Sequence, residues 1–245
     1  MQYKKIALVL ALLASSVSTG TAQAALLART GGMVYDTVNN ITWAADANLF
    51  QTQAASNPNM VSDIIAANDG VIHDTANYYD GYTGIYNLTS ADFNTDTGTM
   101  TWFGAQAWAN NLTLGGVTGW SLPSTPVKAD GINVTSSQMG DLFYDQLGGA
   151  AWTDIATTHN ANYDLFTNIQ SYVYWSGSEY APDPSAAWGL NTSSGYQGAP
   201  YKFGQFYAWA VRPGDVAAVP VPGAFWLFGS AIVGLMGLKR RKNIG

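Results

Sequence analysis

The 245-residue sequence contains no cysteine. That removes disulfide staples and thiol nucleophiles together, so stability has to come from a packed core. Histidine is limited to His73 and His159, both in polar surroundings without a recognisable acid–base partner, and both read as surface residues. No G-x-S-x-G run occurs, so the serine-nucleophile elbow is missing as well. Positive charge is scarce. Residues 25–218 hold only Arg29, Lys128, Lys202 and Arg212 against all sixteen acidic residues, a net charge of about −12. Such a body repels phosphate backbones and offers no basic face, which excludes a nucleic-acid partner. Acids are plentiful in Gly- and Asn-rich loops, but nothing singles out two of them as a hydrolytic pair, and the chain is not expected to be an enzyme.

The remaining cations sit at the ends. Lys4 and Lys5 precede an apolar run over 6–14 and a small-residue stretch ending Ala22-Gln23-Ala24. This is the layout of a signal peptide over 1–24, handled by the Sec translocon and signal peptidase, with the mature chain starting at Ala25. At the other end, residues 223–238 carry no charge. As a helix they span about 24 Å, short of a hydrocarbon core of about 30 Å. Pro220 and Pro222 block extension backward. Lys239, Arg240, Arg241 and Lys242 follow the run, placing cations in the cytoplasm and the body outside. A transmembrane helix over 223–238 that holds the chain in the inner membrane transiently is therefore expected.

The order Val219-Pro220-Val221-Pro222, then Trp226 opening "WLFGS", then Gly229, Gly234 and Gly237, then "KRRK", resembles the PEP-CTERM sorting signal over 219–242. That resemblance implies recognition by an exosortase, a membrane transpeptidase that removes the tail near the proline motif. Val221 stands where the family's naming motif has Glu.

The body, 25–216, reads as one domain. Met33-Val34-Tyr35 and Ile41-Thr42-Trp43 flank an Asn39-Asn40 turn, the pattern of a β-hairpin. The stretch 51–98 is an elaboration in which "NMVSDIIAAN" suits a short helix and "NYYDGYTGIYNL" a loop or edge strand. Trp102, Ala105, Ala109 and Leu112 fall at helical spacing behind a Thr101 cap, with Gly115-Gly116 as the stop. A second helix over 137–147 buries Met139, Leu142, Phe143 and Leu147. "SYVYWSGS", "AAWGLN" and "FYAWAVRP" are short aromatic strands. The fold class is α+β, one domain with two short helices and a mostly antiparallel sheet. Trp120, Trp175, Trp188 and Trp209 are expected in the core, and Arg212 is expected to neutralise a buried Asp.

"TWFGAQAWANNLTLGGVTGWSLPS", "SSQMGDLFYDQLGG", "YWSGSEYAPDPSAAW" and "YAWAVRPGD", in that order, resemble the Lcl C-terminal domain family. The resemblance implies a C-type-lectin-like fold in an exported surface protein, with glycan or matrix adhesion as its leading role. Two candidate sites follow. Tyr78, Tyr79 and Tyr82, with Tyr86 nearby, lie in a polar stretch where exposed rings can stack on sugars of a polysaccharide. Asp92, Asn94 and Asp96 in "DFNTDTG" alternate like the first half of a calcium loop, though Gly98 comes late and Phe103 occupies the position of the bidentate acid. A solvated Asp/Asn turn reads the same residues without metal. The "APDPS" run lacks the sugar-binding calcium motifs of true C-type lectins.

If both end readings hold, the intact mass of the exported protein corresponds to a chain beginning at Ala25 and lacking the residues beyond the proline motif. A mass that includes 223–242 rules out tail removal.

Overall fold

The structure is a computed structural model that describes residues 26–216. The signal-peptide reading of 1–24 and the sorting-signal and transmembrane-helix readings of 219–242 lie outside the described residues. Among the described residues no helix is long and apolar enough to cross a membrane.

The chain opens with β1 (Leu26–Arg29), β2 (Met33–Asp36) and β3 (Ile41–Ala44), an antiparallel meander. The β2–β3 hairpin forms where the Asn pair predicted it: Asn40 takes a left-handed φ of 50°, which Asn tolerates better than most residues. The Asp36 carboxylate accepts the amides of Val38 and Asn39 across the turn. Two helices follow, α1 (Leu49–Ser56) and α2 (Met60–Ala67), then the two-stranded β4 (Val71–His73) and β5 (Ile85–Asn87). The helix α3 (Trp102–Asn111) is capped as expected, the Thr101 hydroxyl accepting the Gly104 amide at 3.2 Å. It ends at Asn111, before the Gly115-Gly116 pair.

The next helix, α4 (Gln138–Asp141), is capped by Ser137 and widens into a π turn, Leu142–Gln146. Its expected apolar face is buried. The π turn directs the buried Gln146 to the hairpin, where its amide donates to Asp36 at 2.9 Å and also to Asp141. Asn39 donates to both carboxylates from the other side.

The C-terminal part holds β6 (Val173–Glu179), β7 (Ala187–Asn191), β8 (Tyr196–Gly198), β9 (Tyr207–Ala208) and β10 (Val211–Pro213). Three sheets result, ordered β1-β2-β3-β10, β4-β5 and β8-β7-β6-β9; β6–β9 is a parallel pair and the other pairs are antiparallel. Among the described residues the α+β class stands, with four helices in place of two and three sheets in place of one. The "FYAWAVRP" run divides because Trp209 and Ala210 cross between sheets: the Trp209 indole donates to the Ala44 carbonyl at 2.8 Å, and β10 then joins β3.

Trp120, Trp175, Trp188 and Trp209 are all buried. The Trp209 ring meets Trp43 edge-on at 5.4 Å and Phe166 at 5.0 Å. The Trp175 and Trp102 indoles donate to the carbonyls of Met100 and Ser176. Buried tryptophan therefore pins layers by directed bonds as well as by area. Arg212 does not neutralise a buried Asp. Its guanidinium donates to the Thr118 carbonyl at 3.0 Å, and the buried cation of the described residues is Lys202.

Burial pushes the Asp141 carboxyl above its ordinary range; the Gln146 and Asn39 donors oppose this, and Asp36 and Asp145 add to it. The folded state thus holds this proton more tightly than the unfolded chain does. The stabilising effect is present at low pH and is lost as pH rises through the folded value. Asp141→Asn, which keeps an acceptor without the charge, should raise the thermal midpoint at neutral pH and flatten its fall as pH rises out of the acid range. An unchanged or lowered midpoint at pH 7 would contradict this.

Candidate functional site

The β4–β5 connection is built to project side chains. Asn77 and Asp80 form a reciprocal capping box around a single 3-10 turn, Tyr78–Asp80. Gly81 and Tyr82 then take left-handed φ values of 67° and 64°, and the Tyr82 amide closes onto the Asn77 carbonyl at 2.8 Å. Gly84 is required at the loop's end, since a Cβ there would lie 2.9 Å from the Asp74 carbonyl oxygen. Burial opposes ionisation of Asp80, but the amides of Asn77, Gly84 and Thr83 outweigh it and hold the carboxyl below its ordinary range.

Tyr78 is 67% exposed and meets Tyr79 edge-on at 5.3 Å. Tyr79 turns toward a second segment, lying 5.0 Å from Phe203 and 6.3 Å from Tyr201. Tyr201 and Phe203 are 54% and 55% exposed, with near-parallel rings 6.2 Å apart. Three exposed rings and the half-buried Tyr79, from two distant parts of the chain, thus form one surface cluster.

Beneath it lies Lys202, 0% exposed. Its ammonium donates to Asp74 at 2.5 Å and to Glu179 at 3.1 Å, and stands 4.3 Å over the Trp102 ring. The Lys202 amide and carbonyl bond the Ser185 carbonyl and the Trp102 amide. Tyr201 and Phe203 flank it in a turn closed by the Gly204 amide on the Tyr201 carbonyl at 2.9 Å. Burial raises the Asp74 carboxyl above its ordinary range despite the Lys202 bond, and its Oδ1 atom is buried without a hydrogen-bond partner.

The structure thus joins two of the tyrosines expected from sequence, Tyr78 and Tyr79. Tyr82 is 71% exposed but makes no ring contact. Tyr86 belongs to the interior: it stacks on Phe103 at 3.7 Å, and its hydroxyl donates to Asp92 at 2.8 Å. Burial first, and then Asp92, lift its phenol far above the ordinary value. Sequence reasoning missed Tyr201 and Phe203; two aromatics on either side of one of the few cations of the body are the signal that could have drawn attention to them.

Asp92, Asn94 and Asp96 have separate roles. Asp92 is buried, and its carboxylate accepts from Tyr86, Thr101 and the Thr89 amide. Asn94 turns its side-chain carbonyl to the amides of Asp96 and Thr97, an Asx turn, and the Asp96 carbonyl is bonded by Gln51. Among the described residues no three His, Asp or Glu side chains gather as a metal site would need. His159 stacks on Tyr163 at 4.1 Å, and His73 is exposed.

An α+β domain with an exposed aromatic cluster fixed over a buried ion pair is the class that fold and site define. The sequence model of the Lcl C-terminal domain family matches residues 32–212, and the chain belongs to that family. Membership fits an exported, surface-associated protein. No curated protein and no solved structure matches the chain.

Lys202→Met should lower unfolding stability by about 3–5 kcal/mol in urea titration, because Asp74 and Glu179 lose their counter-charge. A loss below about 1 kcal/mol would mean the ion pair does not hold the cluster's base together.

Proposed function

We propose that this chain is a surface or exopolysaccharide-matrix protein whose domain binds glycan without catalysis, in adhesion or biofilm cohesion. The observation that carries this reading is the cluster of Tyr78, Tyr79, Tyr201 and Phe203. Aromatic rings exposed to water at this density are costly unless they meet a partner with an apolar face. A pyranose ring supplies such a face in its C–H groups, and phenol hydroxyls can bond its hydroxyls. With a net charge of about −12 on residues 25–218, a neutral sugar suits the domain better than an anionic one.

The reading includes a route. The signal peptide sends the chain through the Sec translocon, the 223–238 helix holds it in the inner membrane, and an exosortase removes the tail and releases the body outward. The charge order of the two ends and the proline and "WLFGS" motifs support this. A hydrated matrix component without a specific ligand is the second reading, favoured by the acidic, Asn- and Thr-rich composition.

Affinity electrophoresis of the exported protein through gels containing hydroxyethylcellulose, galactomannan or alginate separates the two. Retardation by a neutral polysaccharide is expected. Phe203→Ala and Tyr79→Ala should each weaken it about tenfold, or about 1.4 kcal/mol, with little change in thermal midpoint for Phe203→Ala. Unretarded migration in all three gels would leave the ligand-free reading standing.

A further inference from the structure

The buried lysine is placed for more than charge pairing. Lys202 Nζ lies 2.5 Å from Asp74 Oδ2 and 3.1 Å from Glu179 Oε1. The Lys202 and Asp74 side chains are 0% and 1% exposed, while Glu179 keeps 23% and so a path to solvent. Two acids face one cation, so an ion pair alone leaves a negative charge uncompensated in the interior, where that is costly. Asp74 Oδ1 is in addition buried without a hydrogen-bond partner. The Trp102 and Phe103 ring centroids stand 4.3 and 5.7 Å from Nζ and line the site with apolar surface.

A carboxyl carbon lies one C–O bond beyond its oxygen, so Nζ is no more than about 3.7 Å from Asp74 Cγ, close to the separation at which a bond begins to form. Passing one proton from Nζ to the carboxylate leaves a neutral amine and a neutral acid. These are the forms that condense, and neither carries a charge that needs solvation. Burial raises the Asp74 carboxyl above its ordinary range; the Lys202 bond and charge oppose this, and Glu179 and Asp80 add to it. The buried Asn77 side-chain amide donates to Asp74 Oδ2 at 2.9 Å. That oxygen is where negative charge develops as nitrogen adds to Cγ, so a fixed donor there favours the addition.

We infer that Lys202 Nζ and Asp74 Cγ join in an intramolecular amide, with Glu179 as the proton carrier. The Nζ–Cγ bond forms and the Cγ–Oδ1 bond breaks. Of the three ammonium protons one stays on the amide nitrogen and two leave with Oδ1 as water, the second of them relayed by the Glu179 carboxylate. No oxidant or further reactant is consumed. The product replaces two buried charges with one neutral group and removes the orphaned oxygen, while Asn77 keeps its acceptor. Amide condensation is uphill between separate molecules in water, but here the reactants are held in contact and the released water leaves an apolar site. The bond ties the β4–β5 loop to the segment between β8 and β9, across 128 positions of a chain that has no cysteine for a disulfide. Tyr79, Tyr201 and Phe203 lie on the two segments so joined.

Peptide mapping of the exported protein by mass spectrometry after denaturation tests this. A tryptic digest should contain residues 30–128 joined to the fragment that begins at Ala129, uncut after Lys202, at a combined mass about 18 Da below the sum of the two, the mass of one water. Glu179→Gln, which keeps the side-chain shape but relays no proton, should cut the linked fraction at least about tenfold. Asp74→Asn should still link, with loss of about 17 Da, because ammonia leaves in place of water. A side chain that served only as a counter-charge gives no such product. Release of free 30–128 from the parent, with cutting after Lys202, overturns the amide and leaves the ion pair alone, and this result does not depend on whether either variant folds. Linking by Glu179→Gln equal to that of the parent overturns the relay.

Discussion

The Lys202 ammonium has left water entirely, in a domain where cations are few. Its desolvation is offset by two carboxylates and the face of an indole ring. Those partners come from three places, the start of the β4–β5 loop, the end of β6 and the first turn of α3, and Lys202 itself lies between β8 and β9. One charge therefore fixes how an inserted loop, a helix and the central sheet meet. Apolar side chains could fill the same volume, but they would not select Asp74 and Glu179 over other neighbours. Tyr201 and Phe203 lie directly on either side of the buried lysine, so the turn that carries the aromatic surface is anchored by the buried charge.

Local signals in the sequence were reliable where the structure is local. The Asn-turn hairpin, the Thr101 cap and the apolar face of 137–147 each depend on residues a few positions apart, and each formed. The helix α1 was not legible because only Leu49 and Phe50 of its eight residues are buried. The Asn48 side chain does not cap it and bonds Gln51 and the Thr97 carbonyl. The division of "FYAWAVRP" into two strands was equally hidden, since it depends on a bond from Trp209 to a carbonyl 165 positions away.

The site was half legible for the same reason. A Tyr-rich loop in polar surroundings announces exposed rings; Tyr78 is exposed, and Tyr79 is half-buried against the core. Their partners in "PYKFG" carried no signal, because nothing in the adjacent sequence shows that Lys202 faces Asp74. Asp92 shows the converse: its spacing from Asn94 and Asp96 suits cation binding, yet its oxygens are already taken by Tyr86, Thr101 and Thr89. Donor type and spacing suggest chemistry, but the fold decides which lone pairs remain free.

The last strand of the domain bears on mechanics. β10 is bonded to β3 on one side and to Ser121 on the other. Just beyond it, Asp215 takes a two-pronged grip from Arg29 at 2.7 Å on each oxygen. The Gly214 amide and carbonyl are bonded by Asn40 and Thr42. Tension applied to the chain at residue 216 therefore meets a guanidinium clamp first, and then a strand gripped along both flanks. The load spreads over many bonds before it reaches the core.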